Sequence, residues 1–187
     1  MALLTITPPA EEPIDLNLVK THVRVDGAEE DALLQGFIAA ARASVEAYTR
    51  RSLVARVVEF HRDDLPSRIM LPAAPVQSVD AVSIEDGDGV VTGLPEGSWR
   101  LLGHLTPAYL VPAAGTYWPS AGSRIEGGVR IRMTVGYGAA QDVPGDLRTA
   151  LLLYVAHLYQ NREGGLPAGD RMPLTVSALL APHILWS

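Results

Sequence analysis

The sequence predicts an α+β fold: a small helical core built from the two ends of the chain, with a β-rich insertion between them. Three observations carry this. Apolar residues recur at helical spacing over 34–48 and again over 147–158. Between them, over 53–142, the period shortens towards two, and prolines and glycines become frequent. The second of these helices is apolar nearly all round, so it must be covered on both sides, as a central helix or one shared with a neighbouring subunit. The expected divisions are 1–52, 53–142 and 143–187.

In the first part, Asp15 is placed to cap a short helix, and Ile14 and Val19 have the spacing of a hydrophobic staple. Leu16, Val19 and Val23 lie on one side of it, and the polar Asp26-Gly27 ends it. Asp26 and Glu29 have capping-box spacing for a second helix, with Glu30 and Asp31 near its positive end. Leu34, Phe37, Ile38, Ala41, Val45 and Tyr48 form the apolar stripe of that helix. Its other faces carry small residues, among them Ala39, Ala43 and Ala47. They suit close packing by a neighbouring subunit or by the same chain.

In the middle part, strands are expected at Val54–Phe60, Arg68–Leu71, Val76–Glu85, Trp99–Leu102 and Val129–Tyr137. Asp86-Gly87-Asp88-Gly89 reads as a hairpin turn. The last strand alternates most clearly, with Val129, Ile131, Met133 and Val135 inward and Arg130, Arg132 and Thr134 outward. The stretch 105–128, rich in proline and glycine, reads as loop.

The third helix starts at Pro144, a residue suited to a first turn. Leu147, Ala150, Leu151, Tyr154, Val155 and Leu158 form its stripe, and 161–165 ends it. Burying that stripe contributes about 10 kcal/mol before conformational entropy is set against it. Leu152, Leu153 and Ala156 make the helix apolar nearly all round, so it needs cover on more than one side.

Composition narrows the chemistry. The 187 residues include no cysteine, which excludes disulfides, thiolate metal sites and cysteine nucleophiles. Aromatic residues are 6%, too sparse for a base-stacking platform. The formal net charge of −6 argues against a protein clamped to phosphates. Lys20 is the one lysine beside many arginines, as a GC-rich coding sequence would produce. The first residues lack the basic and apolar regions of a signal peptide, and the apolar run at 151–159 is too short to cross a bilayer. A soluble, cytoplasmic product is expected.

The short strings that resemble chemistry lack their context. His61-Arg62-Asp63-Asp64-Leu65 is like a kinase catalytic loop without the glycine-rich loop or Asp-Phe-Gly. Asp86, Asp88 and Gly89 start like a calcium loop but have no closing glutamate. Gly136-Tyr137-Gly138 follows a strand without the rest of a dinucleotide fingerprint. His22, His61, His104, His157 and His183 show no metal-ligand spacing, and His157 reads as a hydrogen-bonded core histidine. No catalytic, cofactor-binding or metal-binding residue is expected; a small hydrolase using His61 with Asp63 or Asp64 is the enzymatic alternative.

Two stretches together resemble the tailed-phage head–tail connector (adaptor) family, in the version with a β-rich insertion. One is Leu18-Val19-Lys20-Thr21-His22-Val23-Arg24-Val25-Asp26, with Glu30-Asp31-Ala32-Leu33-Leu34 and the run from Ala40 to Thr49. The other runs from Val143-Pro144-Gly145-Asp146-Leu147 to Tyr159-Gln160-Asn161-Arg162-Glu163. Leu71-Pro72, Pro75-Val76-Gln77-Ser78-Val79 and 84–89 fit the same version. The resemblance implies a structural subunit of a phage, prophage or gene-transfer particle, found in the virion neck and made in the bacterial cytoplasm. It implies a homo-oligomeric ring, usually of twelve copies, that docks on the portal protein and faces a stopper or tail-completion protein. DNA would pass through its channel without specific binding, and no membrane is involved. A stopper or head-completion protein is the neighbouring alternative. Candidate subunit contacts are Ala39, Ala43, Ala47, Leu152, Leu153 and Ala156. Portal contact in the family tends to use the C-terminal segment, here Leu179, Leu180, Ile184, Leu185 and Trp186. On the pattern alone, folding back onto the chain's own core suits those apolar residues equally well.

Overall fold

The computed structural model describes residues 1–119, 126–162 and 172–186. It is a mixed α+β chain in two compact units. One comprises Met1–Ala10, Ala55–Tyr137 and Leu185–Ser187; the other comprises Glu11–Val54 and Gly138–Ile184.

The first unit holds two antiparallel sheets. Its strands are β1 (Ala2–Thr7), β2 (Arg56–Arg62), β3 (Ile69–Met70), β4 (Val76–Glu85), β5 (Val91–Gly93), β6 (Trp99–Leu102), β7 (Tyr109–Pro112) and β8 (Val129–Val135). The larger sheet has the order β1-β2-β8-β4-β5 and the smaller β3-β7-β6. Alternation fixes which side of β8 is buried: Val129, Ile131, Met133 and Val135 face inward, and Arg130, Arg132 and Thr134 do not. With Val58, Phe60, Ile69, Leu71, Val82 and Leu110 they form one core shared by the two sheets. The outer face of the larger sheet is laced by charge: Arg130 pairs with Glu85, and Arg132 meets Glu59 at 3.2 Å. Thr134 Oγ1 adds a bond to Asp80 Oδ2 at 2.9 Å.

Three features differ from expectation. Residues 2–7 form an edge strand, because β2 offers a free ladder for them; the pairing runs from Ala2 opposite His61 to Thr7 opposite Val57. The stretch 105–128 contains β7, which pairs with both β3 and β6, so it is not all loop. The expected strands at 54–60, 68–71 and 129–137 are Arg56–Arg62, Ile69–Met70 and Val129–Val135. Those at 76–85 and 99–102 have the expected bounds, and Asp86 closes the β4–β5 turn by accepting the amides of Asp88 and Val90.

The second unit holds α1 (Leu16–Val23), α2 (Asp31–Thr49), α3 (Gly145–Gln160) and α4 (Leu174–Leu180). Asp15 caps α1, its Oδ1 accepting the amide of Asn17 at 2.7 Å, and Ile14 and Val19 are both buried. The C-cap is Arg24 in the left-handed region (φ 59°), a place usually held by glycine. The Asp26–Glu29 capping box does not form. Instead α2 starts at Asp31, whose carboxylate is held by Lys20 Nζ at 2.6 Å, while Lys20 also reaches Gly27 O. The buried stripe of α2 is Leu34, Ile38, Ala41, Val45 and Thr49. Tyr48 falls just out of phase and is exposed, and Thr49 takes its place by returning its hydroxyl to Val45 O at 2.7 Å.

Helix α3 packs against α1, α2 and α4. Leu147, Ala150, Leu151, Tyr154 and Val155 are buried, and Leu158 is half-buried. The expected terminator at 163–165 lies outside the described residues; within them, Asn161 caps the helix through its amide bond to His157 O. His157 is half-buried against the Tyr154 ring, not enclosed in the core as expected. Gly138 takes φ 132° at the turn after β8, and a Cβ there would lie 2.6 Å from Asp142 Oδ2.

Candidate assembly surfaces

Among the described residues, no group of three or more histidine or acidic side chains is placed to hold a metal ion. The three residues of the enzymatic alternative each have separate structural partners. His61 Nε2 meets Glu59 Oε1 at 2.9 Å, and Asp63 accepts the Gly127 amide at 2.8 Å. Asp64 pairs with the buried Arg62 guanidinium, 3.1 Å from its Nε. His61 and the two aspartates are thus turned to different neighbours.

In the helical unit, α2 presents its small residues outward. Ala43 and Ala47 are exposed, together with Ala32, Gly36 and Ala40, while Ala39 is half-buried. Leu152, Leu153 and Ala156 on α3 are half-buried, as befits a helix already covered by three others. Below this surface the helix is tied to the segment before α1: Arg42 Nε donates to Glu12 Oε2 at 2.7 Å and Nη1 to Glu46 Oε2 at 3.2 Å. Partial burial works to lower the Arg42 pKa. The hydrogen bonds and negative charge of Glu12, and then of Glu46, outweigh it, and the net shift is upward. Glu46 Oε1 also accepts the Leu53 amide at 2.9 Å, which fixes the chain as it leaves α2.

The C-terminal segment folds more tightly than a free tail. Leu179 lies half-buried on α4, Leu180 is fully buried at its end, and a 3₁₀ turn follows at Ala181–His183. Arg51 Nε donates to His183 O at 2.6 Å, and His183 Nε2 meets Asp146 Oδ2 at 2.5 Å. That hydrogen bond from His183 holds the Asp146 carboxyl below its ordinary pKa, against the opposing effect of desolvation. Ile184 is half-buried and Leu185 buried. Trp186 is 79% exposed, the one large apolar residue of this group left for something else to cover.

In the sheet unit, Leu3, Leu4 and Ile6 of β1 are all exposed, and an apolar cavity of about 460 Å³ opens beside the start of the strand. The periodicity of residues 2–7 alone did not distinguish an edge strand from a flexible lead. The usable signal was composition: Leu-Leu-Thr-Ile-Thr is rich in β-favouring residues and bounded by Pro8-Pro9.

Residues 13–88 match the model of the phage gp6-like head-tail connector protein family. Over that stretch the chain resembles the head–tail connectors. That match takes in α1, α2 and strands β2, β3 and β4, and ends in the β4–β5 turn. Solved structures extend the likeness over the remainder. A chain from the neck of an empty gene transfer agent (GTA) particle, computed with C6 symmetry, is 28% identical, with a TM-score of 0.84. The alignment covers 100% of this chain and 97% of the neck chain. A chain from the virion of a native gene transfer agent particle is 29% identical, with a TM-score of 0.81 and the same coverage. A third, from the neck of a native particle computed with C12 symmetry, is 28% identical, again over 100% and 97%, with a TM-score of 0.81. No protein of curated function matches the chain in sequence. The segment 143–162, outside the family match, is therefore shared with the neck chains as part of one whole-length fold.

Proposed function

We propose that this chain is a structural head–tail adaptor: it forms a ring of twelve copies under the portal of a phage-like gene-transfer particle and does no chemistry. One observation carries the reading, the end-to-end likeness to neck chains of gene transfer agent particles. The protein would be made in the bacterial cytoplasm and end in the virion neck, with the portal on one side and a stopper or tail-completion protein on the other. A ring of this kind needs two different complementary faces on each subunit. The exposed alanines of α2 supply a flat helix face for close approach, with Ala39, Ala43 and Ala47 on it. Leu152, Leu153 and Ala156 supply a second. For the portal, the segment from Leu179 to Trp186 narrows to its outward groups. Leu180 and Leu185 are occupied within the subunit, whereas the indole of Trp186 is free to fill a partner's pocket.

Electron microscopy of particles produced without this gene tests the proposal. Filled or leaking heads separated from finished tails are the expected result, and normally tailed particles would overturn it. Position decides against a stopper: in intact necks, a photo-crosslinker at Trp186 is expected to capture the portal protein.

A further inference from the structure

We infer that the larger sheet continues from one subunit to the next, the β4–β5 hairpin of one copy seating beside β1 of its neighbour. The occupant is a second copy of this chain, and the inference rests on the ring proposed above.

The two edges of the sheet are built differently. On one side β4 carries Asp80 and two register irregularities, between Val76 and Ser78 and between Val79 and Ala81. Bulges and an edge charge are the usual guards against a stray strand. Only the hairpin at the end of β4, with β5, stands ready to pair. On the other side β1 has no charge, no proline within it, and an unpaired outer row of backbone groups. All six of its residues are exposed, Leu3, Leu4 and Ile6 among them. Left bare, such an edge invites association.

The registers bring the matching features to the same end of the sheet. Ser83 lies opposite Gly93 and Arg130, Arg130 opposite His61, and His61 opposite Ala2. Gly93, at the end of β5, is therefore level with Ala2, and the hairpin tip reaches past the start of β1. Because every neighbouring pair is antiparallel, β1 and β5, four steps apart, run in the same direction. A copy added alongside by rotation about an axis near the strand direction then sets β5 parallel to the next β1, with its tip over the cavity. That cavity is lined by Leu3, Phe60, Pro66, Met70 and Pro72, with Arg68 among its lining residues. The tip offers Val90 and Val91, 57% and 48% exposed, and the exposed carboxylate of Asp88. Valines suit the apolar lining, and Asp88 suits Arg68, whose guanidinium lies over the Tyr109 ring. Edges that differ at the two ends of one sheet propagate head to tail, the arrangement a closed ring requires. Neck particles containing the similar chains were computed with C6 and C12 symmetry.

Engineered cysteines test this cleanly because the chain has none. Particles would carry Ala2→Cys or Leu3→Cys combined with Thr92→Cys or Gly93→Cys, four pairings that cover both faces and a one-residue shift. On mild oxidation, at least one pairing is expected to give a ladder of covalent multimers, at least tenfold above either single variant. Necks that contain the variants but give no ladder with any pairing would overturn the inference and leave the ring standing. Dimers from a β1 cysteine alone would overturn it too, since β1 would then meet β1. Absence of the unmodified protein from purified particles would sink the neck reading, and this inference with it. If cysteine variants are excluded from particles, Arg68→Asp and Asp88→Arg decide: each alone should cut incorporation severalfold, and the pair should restore it. Failure of the pair to restore it would count against the contact.

Discussion

Single residues in this chain hold junctions, and their energetics can be tested one at a time. Asp146, at the start of α3, meets His183, which follows α4. Its pKa is lowered in the folded protein, chiefly by that hydrogen bond. A depressed carboxylate stabilises the fold above its ordinary value of 3.8, and that contribution disappears as pH falls through the lower folded value. Thermal melts of wild type and Asp146→Asn are therefore expected to differ at neutral pH and to converge at strongly acidic pH. A difference that persists there would mean the contact is not ionic. Arg24 makes the opposite case. It occupies the left-handed region at φ 59° without needing its side chain there, and it is exposed. Arg24→Gly is expected to raise stability by about 0.5–1 kcal/mol, the relieved strain less the added freedom of the unfolded chain. Denaturant unfolding would measure it through a higher midpoint at unchanged slope.

At the scale of elements, legibility followed the strength of local pattern. Helices α2 and α3 and strand β8 could be read because each buries one side and so writes a period into the sequence. Strand β1 buries neither side, so it writes no period; its existence depends on the ladder of β2, which is fifty residues further along the chain. Strand β7 was hidden in the same way among prolines and glycines; its partners β3 and β6, which flank it in the sheet, both precede it in sequence. The start of α2 was misread because Asp26 and Glu29 have the right spacing, while Lys20, from the preceding helix, chooses Asp31. Of the candidate surfaces, the small residues on the outer face of α2 were legible, whereas the burial of Leu180 and Leu185 was not, since tail residues declare no period. The stripe of α3 makes a direct contrast. Leu151→Ala, at a fully buried site, is expected to cost about 2–5 kcal/mol. Leu152→Ala, half-buried on the next position, is expected to cost less than about 1.5 kcal/mol and, if that face meets a neighbour, to weaken assembly more than folding. Unfolding midpoints set beside oligomer distributions separate the two effects.

For the whole molecule, charge is the property that bears most directly on the proposed place in a neck through which DNA would move. Fifteen lysine and arginine residues face twenty-one acids, for a net charge of −6. Much of the positive charge is also spoken for locally. Lys20 pairs with Asp31, Arg42 with Glu12 and Glu46, Arg62 with Asp64, Arg130 with Glu85, Arg132 with Glu59, and Arg162 with Glu30. A guanidinium held by a carboxylate has little left with which to release counterions from a phosphate backbone. Each subunit added to a ring adds net negative charge, so the assembly is expected to repel a duplex in transit and leave it free to slide. The purified protein should therefore bind duplex DNA no more tightly than ordinary non-specific association, about 10⁻⁴ M or weaker at physiological salt. Fluorescence anisotropy of a labelled duplex, titrated at about 50 and 200 mM salt, checks this. A nearly flat response at both concentrations is the expected result. A steep loss of affinity with salt would reveal several basic side chains gathered on one face, and a channel that grips its DNA.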